Sequence, residues 1–318
     1  MVSIALLPLS GLFAALTWLR RACYRSGLLR KARVAAPVIV VGNLSVGGTG
    51  KTPVVIWLAR SLRASGYTPG VISRGYGGSG QLCAVDEGSS PQQAGDEPVL
   101  IARLAQCPVW VGRDRVAAAT RLLARNPEVD VVISDDGLQH YRLGRDCELA
   151  VISARQGFGN GLLLPAGPLR ETRKRLRSVD AVIVNGEGLP QVPSNSFPMR
   201  LEGREFINLA NAEKKASPRD FDRMRLHAVA GIGDPQRFFS HLHELGLSFE
   251  AHAFPDHHAF SAADLAFANC DAVLMTQKDA IKCAAIAGEN WWALPVEARI
   301  DSTLLDLVKR KIGSARGL

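Results

Sequence analysis

Short apolar runs alternate with stretches of helical periodicity over the first part of the chain. The runs at 38–41, 70–73, 129–134, 148–153 and 181–185 are rich in β-branched residues and end in glycine, serine, aspartate or asparagine. Between the first two runs, apolar residues from Val55 to Leu62 recur every three or four positions, which is helix spacing. Strands that alternate with helices predict an α/β fold with a mostly parallel sheet flanked by helices.

The same alternation returns on a smaller scale after a stretch rich in proline, serine and asparagine near residue 187. Predicted strands at 227–232, 249–254 and 272–276 alternate with predicted helices at 235–245 and 261–269. Two short extended pieces between the parts predict a connecting ribbon. The predicted division is therefore an N-terminal segment 1–33, a larger domain 34–190, an extended linker 191–212 and a second, smaller α/β domain 213–318.

The N-terminal segment is apolar first and basic second. Residues 2–19 carry no charge, and a group of cations follows them: Arg20, Arg21, Arg25, Arg30, Lys31 and Arg33. A secretory signal has the opposite order. A helix of this length reaches about 27 Å, slightly short of a membrane span. We expect it to insert in or lie on the cytoplasmic leaflet with Trp18 at headgroup depth, and a buried core helix is the alternative.

Composition and charge narrow the class of protein. The chain has 318 residues and is 47% apolar, which is ample for a globular core. A net charge of +8 favours an anionic partner, which a nucleotide, a nucleic acid or an anionic lipid would satisfy. No nucleic-acid-binding module and no obligate protein partner is evident. The six cysteines have no metal-binding spacing, so we expect reduced thiols and no permanent metal.

The stretch 38–53 reads as a strand, a glycine-rich loop and the start of a helix. Glycine amides in such a loop close around phosphate oxygens, Lys51 adds a positive charge, and Thr52 offers a hydroxyl to Mg²⁺. Ser45 stands where the strict motif has glycine, but the strand before and the helix after support the assignment. The predicted phosphate-binding residues are Ser45, Val46, Gly47, Gly48, Thr49, Gly50, Lys51 and Thr52.

Two adjacent carboxylates follow the apolar run 129–134. A strand that ends in aspartate is typical of the Walker B pattern, whose carboxylate helps to hold Mg²⁺. Adjacent carboxylates repel each other unless a cation lies between them. We therefore predict Mg²⁺ ligands at Thr52, Asp135 and Asp136, with a turn or helix cap as the alternative for one aspartate.

Further candidate chemistry lies in loops after predicted strands. Residues 74–80 are basic and glycine-rich, at the strand end where α/β sheets place ligands, although a flexible turn would look the same. The segment 254–260 sets a carboxylate beside His257 and His258, which suits a proton carrier or a ligand to the transferred phosphate, with a structural histidine as the alternative. Asp96 opens a predicted helix, and an aspartate at this position is commonly the helix N-cap.

Seven segments together resemble one known family. They are GNLSVGGTGKTP, SRGYGG, GDEP, DDGLQH, LPAGPLRE, FPDHH and TQKD, in this order. The combination closely resembles the tetraacyldisaccharide 4′-kinase family over nearly the whole chain. The resemblance implies a P-loop kinase that uses ATP and Mg²⁺. Its implied substrate is a tetraacylated glucosamine disaccharide 1-phosphate, phosphorylated on the 4′-hydroxyl at the cytoplasmic face of the bacterial inner membrane to give lipid IVA.

The resemblance also implies roles for individual residues. The implied catalytic residues are Asp96, His257, Lys51, Asp136, Arg170 and Glu171. Beyond the phosphate loop, the implied nucleotide contacts are Tyr76, His140, Thr276, Lys278 and Asp279. Leu138 and Gln277 depart from the family pattern; the first is interpreted as a packing change, and the second weakens the base-contact assignment. A soluble P-loop enzyme with a small substrate and a nucleotide-hydrolysing switch remain alternative functions.

Overall fold

The computed structural model describes residues 5–189 and 191–315. Helices lie at the predicted positions in the N-terminal segment, from Val55 to Leu62, from Asp96 and at 235–245, whereas no helix is predicted at Thr303–Ala315. Two of the observed helices are shorter than eight residues. The helices, in chain order, are α1 (Leu7–Arg25), α2 (Lys51–Ala64), α3 (Pro91–Ala94), α4 (Asp96–Ala105), α5 (Arg115–Arg125), α6 (Pro235–Glu244), α7 (Gln277–Cys283) and α8 (Thr303–Ala315). The segment 261–269, predicted as a helix, holds only a 3₁₀ turn, Ala262–Leu265.

The strands fall into two sheets. In chain order they are β1 (Val38–Gly42), β2 (Pro69–Ser73), β3 (Cys83–Val85), β4 (Val109–Val111), β5 (Val131–Asp135), β6 (Cys147–Ser153), β7 (Ala181–Asn185), β8 (Ser196–Glu202), β9 (Phe206–Asn208), β10 (Lys215–Ala216), β11 (Leu226–Ala230), β12 (Phe249–Ala253), β13 (Ala272–Thr276), β14 (Trp291–Leu294) and β15 (Glu297–Ile300). Within the described residues, the first sheet has the order β15-β8-β7-β6-β1-β5-β2-β4-β3. The second has the order β10-β9-β14-β13-β11-β12.

The first sheet is parallel except at its two edges. Its central strand β1 lies between β5 and β6, and both neighbours run parallel to it. Alternate residues of β1 enter different cores: Ile39 and Val41 pack in the cluster that contains α2 and α4, whereas Val38 and Val40 pack in the cluster that contains α5. Side chains alternate across a strand, so an uninterrupted apolar strand requires cover on both faces. The predicted α/β architecture is confirmed.

The second sheet is smaller and parallel at its centre, where β12, β11, β13 and β14 pair in turn. Aromatic rings fill one of its faces. Phe221 packs edge to face against Phe206 and against Trp292, with ring centroids 4.9 and 5.4 Å apart. This separate core explains why the alternation of strand and helix restarts in the sequence.

Strand pairing bears on the predicted domain division, which remains a proposal. Strand β8 joins the first sheet and β9 the second, so the segment 191–212 is shared between them. The chain also returns to the first sheet at its end, because β15 pairs with β8 and the α8 side chains Leu304, Val308 and Ile312 are fully buried in the first sheet's core. This pairing favours a second domain that ends near residue 295, instead of one that runs to 318.

Helix α1 lies on the outside of the protein. Among its described residues Ser10 alone is buried, and Leu9, Leu12, Leu16 and Leu19 are all more than half exposed. These leucines are spaced by three or four positions, so they form one apolar stripe. The alternative prediction of a buried core helix is therefore wrong. Across the described part of the chain, no helix combines the length and the apolar character that a membrane crossing needs.

Candidate active site

The predicted phosphate loop connects the central strand β1 to α2. Gly47 and Gly50 have φ values of 103° and 94°, in the left-handed region that favours glycine. A Cβ atom on Gly50 would lie 2.3 Å from Nδ2 of Asn185, so a larger residue does not fit there. The loop thus leads into the positive N-terminal end of α2, which is the usual place for a bound phosphate.

The first residues of this loop are paired with the segment that carries Arg170. Ser45 forms an antiparallel bridge with Leu169, and the amide of Val46 donates to the carbonyl of Pro168 at 2.8 Å. Ser45 is not in the left-handed region, which explains why this position does not require glycine. The pairing brings Arg170 to the side of the loop.

Asn185 holds the loop from the neighbouring part of the sheet. Its Nδ2 donates to the carbonyl of Thr49 at 2.9 Å, and its Oδ1 accepts from Nη2 of Arg237 at 2.6 Å. Arg237 belongs to α6, so this amide links the phosphate loop to the second sheet. Gly48 also lies against that side, since a Cβ atom on Gly233 would be 2.6 Å from the amide nitrogen of Gly48.

The two predicted metal-binding carboxylates have different environments. Asp135 ends β5 and is fully buried; one oxygen accepts from the Ser73 hydroxyl at 2.9 Å, and the other, Oδ1, has no hydrogen-bond partner among the described residues. Burial, together with the nearby charges of Glu97 and Asp136, raises the pKa of Asp135 to about 7. A buried carboxylate oxygen without a partner is an energetic cost that a bound cation would remove.

Asp136 lies between two cations. Its carboxylate is 3.6 Å from Nζ of Lys51 and accepts from Nη1 of Arg170 at 2.9 and 3.1 Å. Burial favours a higher pKa for Asp136, but Lys51 and Arg170 outweigh burial and lower it. Hard oxygen ligands from Thr52 and the two aspartates suit Mg²⁺. The residues present therefore fit both a phosphate group and the magnesium ion that accompanies it.

Asp96 and His257 form a hydrogen-bonded pair. Nδ1 of His257 lies 2.9 Å from Oδ2 and 3.2 Å from Oδ1 of Asp96. Asp96 is 4% exposed at the start of α4, whereas 26% of the His257 side chain is exposed. The hydrogen bond to Asp96 is the largest influence on His257 and raises its pKa. The Tyr76 ring lies beside the imidazole, with centroids 5.1 Å apart.

Lys278 lies within reach of three carboxylates at this pair. Its Nζ is 3.1 Å from Glu97, 3.4 Å from Asp256 and 3.6 Å from Asp96. Burial alone would lower the pKa of Lys278, but these three negative charges raise it. The three carboxylates surround the ammonium group. In this structure Lys278 is therefore an ion-pair partner of Asp96, beside His257.

The neighbouring histidine takes no part in this arrangement. Nε2 of His258 lies 3.4 Å from Asp264, and its ring packs against Phe254 and Phe260. The sequence does not separate His257 from His258, whereas the fold places only His257 against Asp96.

One cavity of about 1410 Å³ joins these groups. The predicted residues that line it are Val46, Gly47, Gly48, Thr49, Gly50, Lys51, Thr52, Tyr76, Asp136, Arg170, His257, Thr276 and Lys278. The predicted residues outside its lining are Ser45, Asp96, Asp135, His140, Glu171 and Asp279. An apolar wall formed by Ile56, Trp57, Leu100 and Leu104 completes it.

Glu171 and His140 lie behind the cavity wall. The Tyr141 hydroxyl and Nε2 of Gln139 both donate to the buried carboxylate of Glu171. His140 is buried enough that its pKa falls to about 4, with Arg115 adding to the effect. The hydrogen bonds of Glu171 therefore connect the PLRE segment to the DDGLQH segment and the tyrosine that follows it.

Asp279 is engaged inside the second sheet. Its side chain is fully buried, accepts from the amide of Gly231 at 3.1 Å and from the Thr276 hydroxyl at 2.6 Å, and lies 2.7 Å from Nζ of Lys282. Thr276 in turn caps α7. Asp279 thus has partners within the protein for its carboxylate, and its assignment as a nucleotide contact stays a prediction.

Sequence reasoning missed the residues that connect the two sheets across the cavity. They are Asn185, Gly233, Asp234 and Arg237. A signal was present, since β11 is followed by Gly231-Ile-Gly-Asp234 and by Pro235 at the first turn of α6. That order of strand, glycine-rich turn and helix resembles a second, shorter anion-binding loop.

Comparison with known proteins identifies the family. The model of the tetraacyldisaccharide-1-P 4′-kinase family matches residues 2–313. The chain belongs to this family. A tetraacyldisaccharide 4′-kinase of Azoarcus sp. is 51% identical over 319 residues, covering 99% of this chain and 93% of the relative. The corresponding protein of Methylobacillus flagellatus is 49% identical over 306 residues, covering 96% of this chain and 90% of the relative.

A solved structure of a tetraacyldisaccharide 4′-kinase family protein supports the fold. LpxK from Aquifex aeolicus, crystallised in complex with ATP, superposes with a TM-score of 0.83 at 31% sequence identity. The match covers 98% of this chain and all of that one. The resemblance recognised from the seven sequence segments is confirmed.

Proposed function

We propose that the chain transfers the γ-phosphate of ATP to the 4′-hydroxyl of tetraacyldisaccharide 1-phosphate, giving lipid IVA. One observation carries the proposal: the phosphate loop and the imidazole of the Asp96–His257 pair line the same cavity. Membership of the tetraacyldisaccharide-1-P 4′-kinase family supplies the substrate class. A P-loop alone would serve a hydrolase equally well, whereas a positioned base beside it suits transfer to a hydroxyl group.

The Asp96–His257 pair accepts the proton of the attacking hydroxyl. A sugar hydroxyl is a poor nucleophile at neutral pH, so a base must be positioned against it. Asp96 receives the hydrogen bond of Nδ1, which orients the ring and stabilises the imidazolium that forms. Nε2, the other ring nitrogen, lies 3.7 Å from Asp256 and is the one left to receive the proton. Lys278 lies 3.6 Å from Asp96 and helps to lower the pKa of that carboxyl group.

The phosphate side is held by the loop and by the cations around Asp136. The amides of 47–52 and the ammonium of Lys51 would hold the transferred phosphate, and Thr52, Asp135 and Asp136 would hold Mg²⁺. Mg²⁺, when bound, neutralises negative charge on the phosphate oxygens. Arg170 lies on the cavity side of Asp136 and adds a second cation there. Charge neutralisation and positioning are the main requirements of phosphoryl transfer.

The exposed face of α1 suits a membrane surface at the cytoplasmic side of the inner membrane. Trp18, which is 71% exposed, lies near the end of the leucine stripe, and the basic group that begins at Arg20 follows. An apolar stripe with flanking arginines binds anionic bilayers in the interfacial plane. Ser10 on the opposite face of α1 donates to the carbonyl of Leu163. Because Leu163 and Arg170 belong to one loop, the membrane-facing helix is a single loop away from the phosphate site.

The deciding experiment supplies labelled ATP, Mg²⁺ and tetraacyldisaccharide 1-phosphate in mixed micelles. We expect label in the lipid product and little ATP turnover without the acceptor. Acceptor-independent ATP hydrolysis with unlabelled lipid would favour the nucleotide-hydrolysing switch. Transfer to a soluble sugar at the same rate as to the lipid would favour a small-molecule kinase.

A further inference from the structure

A second cluster of ionisable groups lies away from the cavity, on the edge of the second sheet. It consists of His227 on β11 and of Glu250 and His252 on the edge strand β12. His227 is directly opposite Glu250 in the parallel register, and His252 is two positions further along the same strand. Side chains two apart on a strand share a face, so the fold brings all three together.

We propose that His227, Glu250 and His252 bind a divalent transition-metal ion of the zinc class. Nδ1 of His227 and Nε2 of His252 are 3.0 Å apart. The carboxylate of Glu250 lies 3.9 Å from that Nδ1 and 3.8 Å from that Nε2. Ligand atoms about 2.0–2.1 Å from a tetrahedral Zn²⁺ are about 3.4 Å from each other, so shifts of a few tenths of an ångström complete the triangle.

The aromatic ring of Phe267 fixes the positions of the two imidazoles. Phe267 stacks on His227 with centroids 4.5 Å apart and on His252 with centroids 4.2 Å apart. Both histidine side chains are mostly buried, and two imidazoles held in this way are well placed to bind a metal ion in their neutral form. Preorganised neutral ligands lose little conformational freedom when the ion binds.

The donor set selects the class of ion. Two imidazole nitrogens and one carboxylate suit Zn²⁺, Co²⁺, Ni²⁺ or Cu²⁺, whereas Mg²⁺ and Ca²⁺ prefer oxygen ligands alone. Glu250 is 70% exposed on an edge strand, so the ion has a path from solvent and a water molecule completes its coordination. The site is thereby chemically distinct from the proposed Mg²⁺ site at Asp135 and Asp136.

Metal binding would fasten the edge strand to the sheet. In the described part of the chain, strand β12 pairs only with β11, and the chain leaves it directly toward His257. An ion shared by both strands ties the start of that segment to the sheet's interior. The predicted effect is stabilisation of the second sheet by Zn²⁺, independent of catalysis.

The test is a Zn²⁺ titration of the full chain against a chromophoric chelator, with Mg²⁺ in excess to fill the phosphate site. We expect one Zn²⁺ site that Glu250→Gln weakens at least about 10-fold and His252→Ala abolishes. With Co²⁺ alone, the wild type should show the intense visible absorption of a tetrahedral complex, which both variants lose. Glu250 is exposed, so its variant tests the site even if the histidine variant fails to fold.

Two controls locate the ion. Glu244→Gln removes an equally exposed carboxylate, 76% accessible, that lies 3.6 Å from a single histidine, His241; it should leave Zn²⁺ affinity unchanged. His257→Ala should also bind Zn²⁺ normally. Equal affinity in the wild type and Glu250→Gln, or loss of the ion in His257→Ala, would overturn the proposal.

Discussion

The carboxylate of Asp96 and the imidazole of His257 lie 2.9 Å apart, although 161 positions separate them in the sequence. Asp96 begins α4 beside the first sheet, and His257 follows β12 in the second. The proposed base therefore exists only where the two sheets meet. Any displacement of one sheet relative to the other changes this distance directly.

Replacement of Asp96 by asparagine tests the base. Asp96→Asn keeps the side-chain size but removes the charge that stabilises the imidazolium. We expect kcat to fall about 10²- to 10⁴-fold with little change in the KM for ATP, measured by lipid phosphorylation. Asp264→Asn is the matched control, because it alters the aspartate beside His258 instead. Equal losses in both variants would contradict the assignment.

The pH profile gives an independent test of the same pair. The base must be neutral to accept a proton, and Asp96 raises the pKa of His257 above its ordinary value of 6.5. Activity should therefore fall on the acid side with a midpoint above 6.5 in kcat/KM. In Asp96→Asn the residual activity should show a lower midpoint, because the hydrogen bond to a charged carboxylate is gone. An unchanged midpoint would exclude Asp96 as the cause.

Asp135 connects Mg²⁺ binding to stability. Its folded pKa of about 7 exceeds the ordinary value of 3.8, so the folded protein binds more protons between these values and loses stability as pH rises through that window. Without Mg²⁺ at about pH 8, Asp135→Asn should raise the free energy of unfolding by on the order of 2 kcal/mol. This gain in the free energy of unfolding should vanish at a pH near or below 3.8, the ordinary pKa of the group, where Asp135 is protonated in the folded protein.

With Mg²⁺ bound, the effect of Asp135→Asn on stability changes sign. Bound Mg²⁺ pairs with the charge, so the ion should stabilise the wild type but not Asp135→Asn in thermal melts. Asp222→Asn, at an exposed position, controls for a change of net charge. A variant that is less stable without Mg²⁺ would show that the buried carboxylate is satisfied by the protein alone.

Asn185 is predicted to set the affinity for ATP. Its side chain bonds the Thr49 carbonyl and Arg237, so Asn185→Ala leaves two polar groups without their partner. We expect the KM for ATP to rise about 10-fold, equivalent to ~1.4 kcal/mol, with kcat reduced less. Asn195→Ala removes a comparable bond to the carbonyl of Val179 in the same sheet region and should leave KM unchanged.

The leucine stripe of α1 is predicted to bind membranes. Leu12→Glu with Leu16→Glu places two charges in the exposed apolar face without disturbing Ser10. Flotation with vesicles that contain anionic lipid should show at least about a 10-fold loss of binding relative to the wild type. Val192→Glu, which changes an exposed valine elsewhere, should float normally. If the double variant with Leu12→Glu and Leu16→Glu bound vesicles as well as the wild type, α1 would be excluded as the membrane contact.

The sequence predicts the parts of the site that follow local rules. The phosphate loop and Asp135 lie where an apolar strand stops, and glycine or aspartate at such a strand end is typical of phosphate and Mg²⁺ binding. Asn185 also ends an apolar run, and a glycine-rich turn precedes Arg237, but the hydrogen bond between them depends on which strands and helices become neighbours. The TQKD segment resembles a base-contact motif, and in the fold the buried carboxylate of Asp279 contacts Gly231 and Lys282. Its assignment as a nucleotide contact stays a prediction.

The return of β15 to the first sheet has a mechanical consequence. The chain leaves the first sheet after Glu202 and re-enters it at Glu297, and these two residues are paired across β8 and β15. A body attached by one strand can swivel freely, whereas a body attached by two adjacent strands turns mainly about the line between them. Gly203, whose Cβ would lie 2.1 Å from the Pro295 carbonyl, shows that the two chain segments pack closely along that line. A rotation of the second sheet about this line would change the distance between Asp96 and His257, which belong to different sheets.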